Sequence, residues 1–134
     1  MIELSTNNVM ANNEEESSES IKWGKTIEKL LNQRSDKKIF VQKVQMVGLM
    51  LIMFISDPWK HSIKSVHKDT VKTGMGGQFG NKGAVVLRVR IFDTSLCFVC
   101  AHLTAGFSKP KERIDDFIQI HKKSFQQNKA GVQN

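Results

Sequence analysis

The sequence predicts an α/β fold, and three observations lead to that prediction. Two segments with helical spacing of apolar residues flank a series of strand patterns. The longest apolar run, Met46–Ile55, covers about half the length that spans a bilayer, so it predicts a buried strand. A strict alternation over Ala84–Phe92 predicts a β-hairpin. A chain of 134 residues fits one small domain or a piece of a larger one.

The first helix is predicted from Ile21 to about Gln33, with Ser20 as its N-cap. Its apolar residues are Trp23, Ile27, Leu30 and Leu31. Residues 1–20 are rich in Asn, Ser and Glu, which predicts a mobile acidic segment. Residues 126–134 form a weakly patterned tail.

Two strands are predicted next, over Phe40–Gln45 and Met46–Ile55. The second is apolar on both faces, which is typical of a central strand that is covered on both sides. Asp57 and Pro58 are expected to end it. A short strand is expected within residues 62–74.

The hairpin consists of Ala84–Phe92 and Leu96–His102. On its first strand one face carries Val85, Leu87, Val89 and Ile91. The other face carries Val86, Arg88, Arg90 and Phe92. A second helix is expected to follow, with Pro110 in its first turn. Its predicted apolar stripe is Ile114, Phe117, Ile118, His121 and Phe125.

The net charge is +7, although the first 20 residues contain five glutamates and no lysine or arginine. The basic remainder favours anionic partners such as phosphoinositide membranes, inositol phosphates or nucleic acid. A basic surface that serves only solubility is the alternative.

Cys97 and Cys100 have the spacing of a zinc or redox pair. They lie in a strand pattern, where residues three apart face opposite sides. Two buried, reduced cysteines are therefore favoured, and a reducing cytosol is expected. The opening residues predict no secretory signal.

Residues 74–83 contain five glycines, followed by an apolar strand. A Walker A loop would need Gly-Lys-Ser/Thr and a helix after it, and Gly83 follows Lys82 here. A dinucleotide fingerprint fails because Phe79 occupies the place of its third glycine. A backbone anion site and a wide turn both remain open.

Three linked motifs resolve this ambiguity. "TGMGGQFGNKGAV", "TSLCFVCAHLTAG" and "KERIDDFIQI" follow one another in order and spacing. Together they closely resemble the inositol polyphosphate 5-phosphatases, and Cys100 resembles the synaptojanin-type branch in particular. The resemblance extends over about residues 1–125.

The resemblance implies part of a DNase I-like (endonuclease/exonuclease/phosphatase) four-layer α/β sandwich with mixed sheets. Residues 1–134 would form a partial catalytic domain. The implied activity is Mg²⁺-dependent hydrolysis of the 5-phosphate, for example of phosphatidylinositol 4,5-bisphosphate. The implied partners are a phosphoinositide lipid or a soluble inositol polyphosphate and a membrane surface, with no nucleic acid. The implied location is cytoplasmic and peripheral on membranes.

By resemblance, His102 is the catalytic histidine that contacts the scissile phosphate. Asn81 and Lys82 match the loop pair that binds substrate, and Met75 and Phe79 match a lipid-facing loop. All of these residues except Asn81 have a simpler alternative. His102 would be satisfied by the backbone, Lys82 would be a solvated lysine, and the two apolar residues would pack beneath the loop.

The motifs for the metal-binding glutamate and for the residues that position the water are absent from this chain. The resemblance therefore places the Mg²⁺ ligands mostly outside it, with no metal ligand assigned within. We expect residues 1–134 to be inactive alone and marginally stable. A non-catalytic phosphoinositide-binding remnant is the alternative function, and a nuclease or sphingomyelinase of the same fold is less favoured.

Overall fold

The computed structural model describes residues 17–33 and 36–126. The two helices are α1 (Ser18–Leu31) and α2 (Pro110–Lys123). The five strands are β1 (Lys38–Met46), β2 (Leu49–Ser56), β3 (Ile63–Gly74), β4 (Phe79–Ile91) and β5 (Thr94–His102). Most of the predicted acidic segment and all but the first residue of the predicted tail lie outside the described residues. Neither described helix has the length and apolar content that crossing a membrane requires.

Helix α1 begins earlier than its apolar pattern predicts. Its N-cap is Ser17, whose hydroxyl oxygen accepts a hydrogen bond from the Ser20 backbone N–H at 3.2 Å. The prediction of Ser20 as the N-cap is wrong. Ser20 lies inside the helix and is buried, and its own hydroxyl donates to the Ser17 carbonyl at 3.0 Å.

Strands β1 and β2 form an antiparallel hairpin in which Met46 pairs with Leu49. The predicted boundary was wrong, because Val47 adopts a positive φ of 44° and turns the chain within the apolar run. The structure ends β2 just before Asp57, as predicted. The prediction of a covered central strand was also wrong, because β2 is half-buried throughout and pairs only with β1 among the described residues.

The second sheet has the order β3-β4-β5, and its strands are antiparallel. Strand β3 has 12 residues and is longer than the short strand predicted. Strand β4 begins at Phe79, within the glycine-rich stretch. Asn81 and Lys82 were predicted in a loop but lie in β4. The reason is that β4 pairs with β3 from Phe79 onward, where Phe79 is opposite Gly74.

The two sheets pack face to face. The core between them contains Val44 and Met46 from β1 and Val85 and Leu87 from β4. A second core joins the opposite face of β4 to α2 through Val71, Ala84, Val86 and Ile120. Helix α1 lies on the outer face of β1, where Lys43 donates to Ser20 at 3.3 Å. The layer order α1, β1-β2, β3-β4-β5, α2 confirms the predicted four layers and the alternation along β4.

Helix α2 begins at Pro110 as predicted, but its predicted apolar stripe was wrong. The side chains of Ile114, Phe117, Ile118 and His121 are exposed. The buried positions are Asp116, which accepts hydrogen bonds from Thr104, and Ile120, which packs against the sheet in the second core. Phe125 follows the helix and packs under Arg88, whose guanidinium carbon lies 4.6 Å from the ring centre.

The cysteine prediction was partly wrong. Both thiols are free, but Cys97 is exposed and Cys100 is only half-buried. Strand β5 lies at an edge of its sheet in the described part of the chain, and most of its residues are exposed on both faces. An edge strand of this kind gives a cysteine little cover.

Replacement of Leu87 with Ala tests the core between the sheets. Leu87 is completely buried, and we expect the free energy of unfolding to fall by about 2–5 kcal/mol. Leu30, which is 57% exposed on α1, is the matched control, and Leu30→Ala should change it by less than about 1 kcal/mol. Urea unfolding followed by circular dichroism measures both. Equal losses would contradict the packing described above.

Candidate active site

The predicted site residues meet at one end of the three-stranded sheet. Strand β3 ends there, β4 begins there and β5 ends there. Gly83 is the residue of β4 that pairs with Lys72 on one side and with His102 on the other. This pairing places Lys82 and His102 on neighbouring strands at the edge of the fold.

Lys82 and His102 are in direct contact. The Lys82 Nζ atom lies 2.8 Å from His102 Nε2. A lysine ammonium can only donate a hydrogen bond, so His102 Nε2 is the acceptor in this contact. Lys82 is half-buried, whereas His102 and Asn81 are exposed. Two of the three predicted substrate contacts thus form a pair that is open to a ligand.

The glycines of this stretch have two different roles. Gly76 and Gly77 have φ values of 73° and 97° and form the turn itself. At Gly83, with φ of 140°, a side chain would collide with the Val71 carbonyl oxygen. A side chain at Gly74 would collide with the Asn81 side-chain oxygen. The last two glycines permit the close approach of β3 and β4 that positions the polar residues.

The chain after His102 is tied to α2 by a residue for which the sequence analysis had no role. Asp116 is 5% exposed and accepts hydrogen bonds from the Thr104 backbone N–H and hydroxyl, both at 2.7 Å. Asp116 lies one helical turn after Arg113 in a helix that begins at Pro110. This spacing puts Arg113 and Asp116 on one face of the helix and could have suggested that both point inward.

Asp116 is ionised at neutral pH in this environment. Burial acts to raise the pKa of its carboxyl, but the hydrogen bonds from Thr104 lower it, followed by the Thr73 hydroxyl and the charge of Lys82. The net pKa lies below its usual value. The Thr73 hydroxyl is buried nearby but has no hydrogen-bond partner of good geometry among the described residues. These contacts stabilise the fold above the unfolded pKa, and the stabilisation is lost as the pH falls through the lowered value.

The two loops beside the site each carry an exposed apolar side chain, Met75 in one and Phe107 in the other. Met75, in the glycine-rich turn, is 76% exposed. Phe79 is only half-buried and pairs with Gly74 at the start of β4. Phe107, in the loop after His102, is completely exposed and was missed by the sequence analysis. A lone aromatic residue between a glycine and a lysine-rich helix start was the available signal.

Lysines surround this end of the sheet. The Lys123 Nζ atom approaches Gly77, and the Lys109 side chain lies beside Gly106. Together with Lys82 they give the region a positive potential, which favours an anionic ligand.

The residues at this site do not fit a divalent cation. In residues 17–33 and 36–126, no three His, Cys, Asp or Glu side chains come together as a possible metal site. The ammonium of Lys82 also occupies the nitrogen of His102 that would face a ligand. The arrangement is instead suited to hydrogen bonding with the oxygens of a phosphate group.

Comparison with known proteins places this chain in a family. The family model described as Endonuclease/Exonuclease/phosphatase family 2 matches residues 1–134. Synaptojanin-2 of Rattus norvegicus is 44% identical over 126 residues, which is 93% of this chain and 8% of that protein. Synaptojanin-1 of Homo sapiens is 42% identical over 123 residues, which is 92% of this chain and again 8% of the relative. The chain therefore spans about a twelfth of these relatives.

A solved structure is similar as well. The crystal structure of the inositol polyphosphate 5-phosphatase domain of SpSynaptojanin, in complex with inositol (1,4)-bisphosphate and calcium ion, matches with a TM-score of 0.71 and 32% identity. The match covers 80% of this chain and 32% of that one. The DNase I-like fold predicted from the motifs is thereby confirmed.

Replacement of Gly83 with Ala tests the close approach at the site. The φ of 140° and the collision with Val71 should lower the free energy of unfolding by more than about 2 kcal/mol. Gly48 is the control, because a methyl group there would meet no atom within 4 Å. Gly48→Ala should change stability by less than about 1 kcal/mol. Urea unfolding measures both, and a tolerated Gly83→Ala would refute this role.

Proposed function

The chain belongs to the endonuclease/exonuclease/phosphatase family 2, and we propose that it is part of the catalytic domain of an inositol polyphosphate 5-phosphatase of the synaptojanin type. The proposed reaction is Mg²⁺-dependent hydrolysis of the 5-phosphate of inositol lipids or soluble inositol phosphates, for example phosphatidylinositol 4,5-bisphosphate. The observation that carries the proposal is the contact between Lys82 and His102 at the sheet end.

His102 and Lys82 have complementary roles toward the phosphate. A bound phosphate can accept a hydrogen bond from the Lys82 ammonium, and His102 donates a second one from Nε2 in the ring form that carries a proton there. Both side chains then donate hydrogen bonds to phosphoryl oxygens. Such donors stabilise the charge that develops on those oxygens in the transition state.

The ligand of the structural relative supports this reaction class. That protein holds inositol (1,4)-bisphosphate. Hydrolysis of the 5-phosphate of inositol 1,4,5-trisphosphate consumes one water and yields inositol 1,4-bisphosphate and inorganic phosphate. The bound ligand therefore has the composition of a product of the reaction that we propose here.

The metal of the reaction is proposed to be Mg²⁺, held by side chains outside the described site. Calcium in the structural relative supports a divalent-cation requirement in this family. The cation would polarise the phosphate and activate the attacking water. The residues of this chain bind and orient the phosphate.

The described surface supports a partial domain. Most of β5 is exposed on both faces, and α2 exposes Ile114, Phe117 and Ile118. Apolar edges and faces of this kind are normally covered in a soluble domain. We propose that further elements of the same catalytic domain cover them.

A membrane surface is the proposed location, on its cytoplasmic side. Met75 and Phe107 project from the two loops that flank the site, and lysines lie around them. Apolar tips can enter the lipid, while lysines contact anionic headgroups. The proposed lipid contact of Phe79 is weaker, because its side chain is half-buried.

Phosphate release tests the activity. Residues 1–134 should release no phosphate from vesicles of phosphatidylinositol 4,5-bisphosphate in Mg²⁺, because the proposed metal ligands are missing. A longer polypeptide that includes the flanking segments should release the 5-phosphate. There, His102→Ala should lower kcat by about 10²–10³-fold, because a donor to the transition state is lost.

Lys64→Ala is the control, because Lys64 pairs with Asp93 at the opposite end of the sheet. Its kcat should equal that of the parent. Binding of inositol 1,4-bisphosphate without turnover in the longer polypeptide would favour the non-catalytic remnant instead. Turnover by residues 1–134 alone would place the metal ligands within this chain.

Vesicle sedimentation tests the lipid contact. Phe107→Ser should weaken binding to vesicles that contain phosphatidylinositol 4,5-bisphosphate by about 10-fold or more, because a buried Phe contributes about 1.5–3 kcal/mol. Phe92→Ser is the control, since Phe92 is exposed and directly follows the last residue of β4, at the end of the strand opposite the site. Equal effects of the two changes would contradict the proposed orientation on the membrane.

A further inference from the structure

The loop that follows His102 is held by two side chains of α2. Asp116 accepts both hydrogen bonds that Thr104 can donate, at 2.7 Å each. Arg113, one helical turn earlier, donates to the Gly106 carbonyl at 2.6 Å and to the Thr104 carbonyl at 3.4 Å. The backbone N–H, hydroxyl and carbonyl of Thr104 are all bonded to the first two turns of one helix.

This arrangement limits the freedom of the chain next to His102. On one side His102 is in β5, where it pairs with Gly83. On the other side Leu103 packs against the core beneath α2, and Thr104 is bound by Asp116. The His102 side chain is exposed, and its ring nitrogen Nε2 contacts Lys82. Its direction therefore depends mainly on the backbone that carries it.

Burial makes Asp116 well suited to hold a fixed geometry. Its carboxylate lies against Thr104 and Thr73 with almost no access to water, so its hydrogen bonds do not compete with solvent. The positive charge of Lys82 is one of the influences that lower the pKa of the Asp116 carboxyl. The buried negative charge thus interacts electrostatically with the same lysine that contacts His102.

We propose that Asp116 is a positioning residue for the active site. By binding Thr104 it fixes the backbone after His102, and so it holds the imidazole in contact with Lys82. The geometric part of this proposal stands on the contacts above, and its catalytic meaning rests on the function proposed in the preceding subsection. Arg113 supports the same loop through its carbonyls.

The His102 ring in the 134-residue chain provides the test. Nitrogen-15 NMR reports which ring nitrogen is protonated, and we expect an acceptor-type Nε2 in the parent. Asp116→Asn should move that signal toward the average of the two tautomers, as the contact with Lys82 loosens. Asp115→Asn is the matched control, because Asp115 is exposed on the same helix, and it should leave the ring unchanged.

Thr104 gives a second and milder test. Thr104→Val removes only the hydroxyl bond and should shift the His102 signal in the same direction by less, whereas Thr104→Ser should restore the parent signal. An unchanged His102 ring in folded Asp116→Asn or Thr104→Val would overturn the proposal and leave Asp116 a purely structural residue. If Asp116→Asn does not fold, the Thr104 pair decides.

Ligand binding separates this proposal from the proposed function. Inositol 1,4-bisphosphate is titrated into the parent and into Thr104→Val, and the His102 ring is observed. Weaker binding by Thr104→Val, with recovery in Thr104→Ser, supports both proposals. If the parent does not bind the ligand but its ring still responds to Asp116→Asn, the positioning role stands and the proposed function of this chain fails.

Discussion

The burial of β4 on both faces is the constraint on which the rest of this structure depends. Ala84, Val85, Val86 and Leu87 are completely buried, and successive side chains enter opposite cores. One core joins the two sheets and the other joins the sheet to α2. Since each layer meets its neighbour through β4 or through a strand packed on it, the layer order follows from a single alternating stretch.

The site depends on the same strand. Immediately before its buried stretch, β4 carries Lys82 and then Gly83, which lets β3 approach closely. The core around β4 therefore fixes the backbone position of Lys82, whose long side chain would otherwise be mobile. Preorganisation of this kind reduces the rearrangement that a bound phosphate requires. Lys82 at the site and the buried core residues after it thus belong to one continuous strand, β4.

The sequence predicted what depends on local pattern and on the motifs. The alternation along β4 gave the hairpin, and the motifs pointed to Lys82 and His102, which the structure brings together. Burial that depends on partners distant in sequence was not predictable. Asp116 was placed on the helix without a role because its partner Thr104 lies in a loop, and Phe107 gave no periodic signal.

Helix α2 is fastened to the rest of the fold at its middle and just beyond its C-terminal end. In the middle of the helix Asp116 binds Thr104 of the loop after β5, and just after the helix the Phe125 backbone N–H donates to Asp69 of β3, at 2.5 Å. A helix anchored in this way cannot fray from the sheet one turn at a time. Its amide protons and those of β3 and β4 therefore belong to one cooperative unit, whose opening exposes the helix and the sheet together.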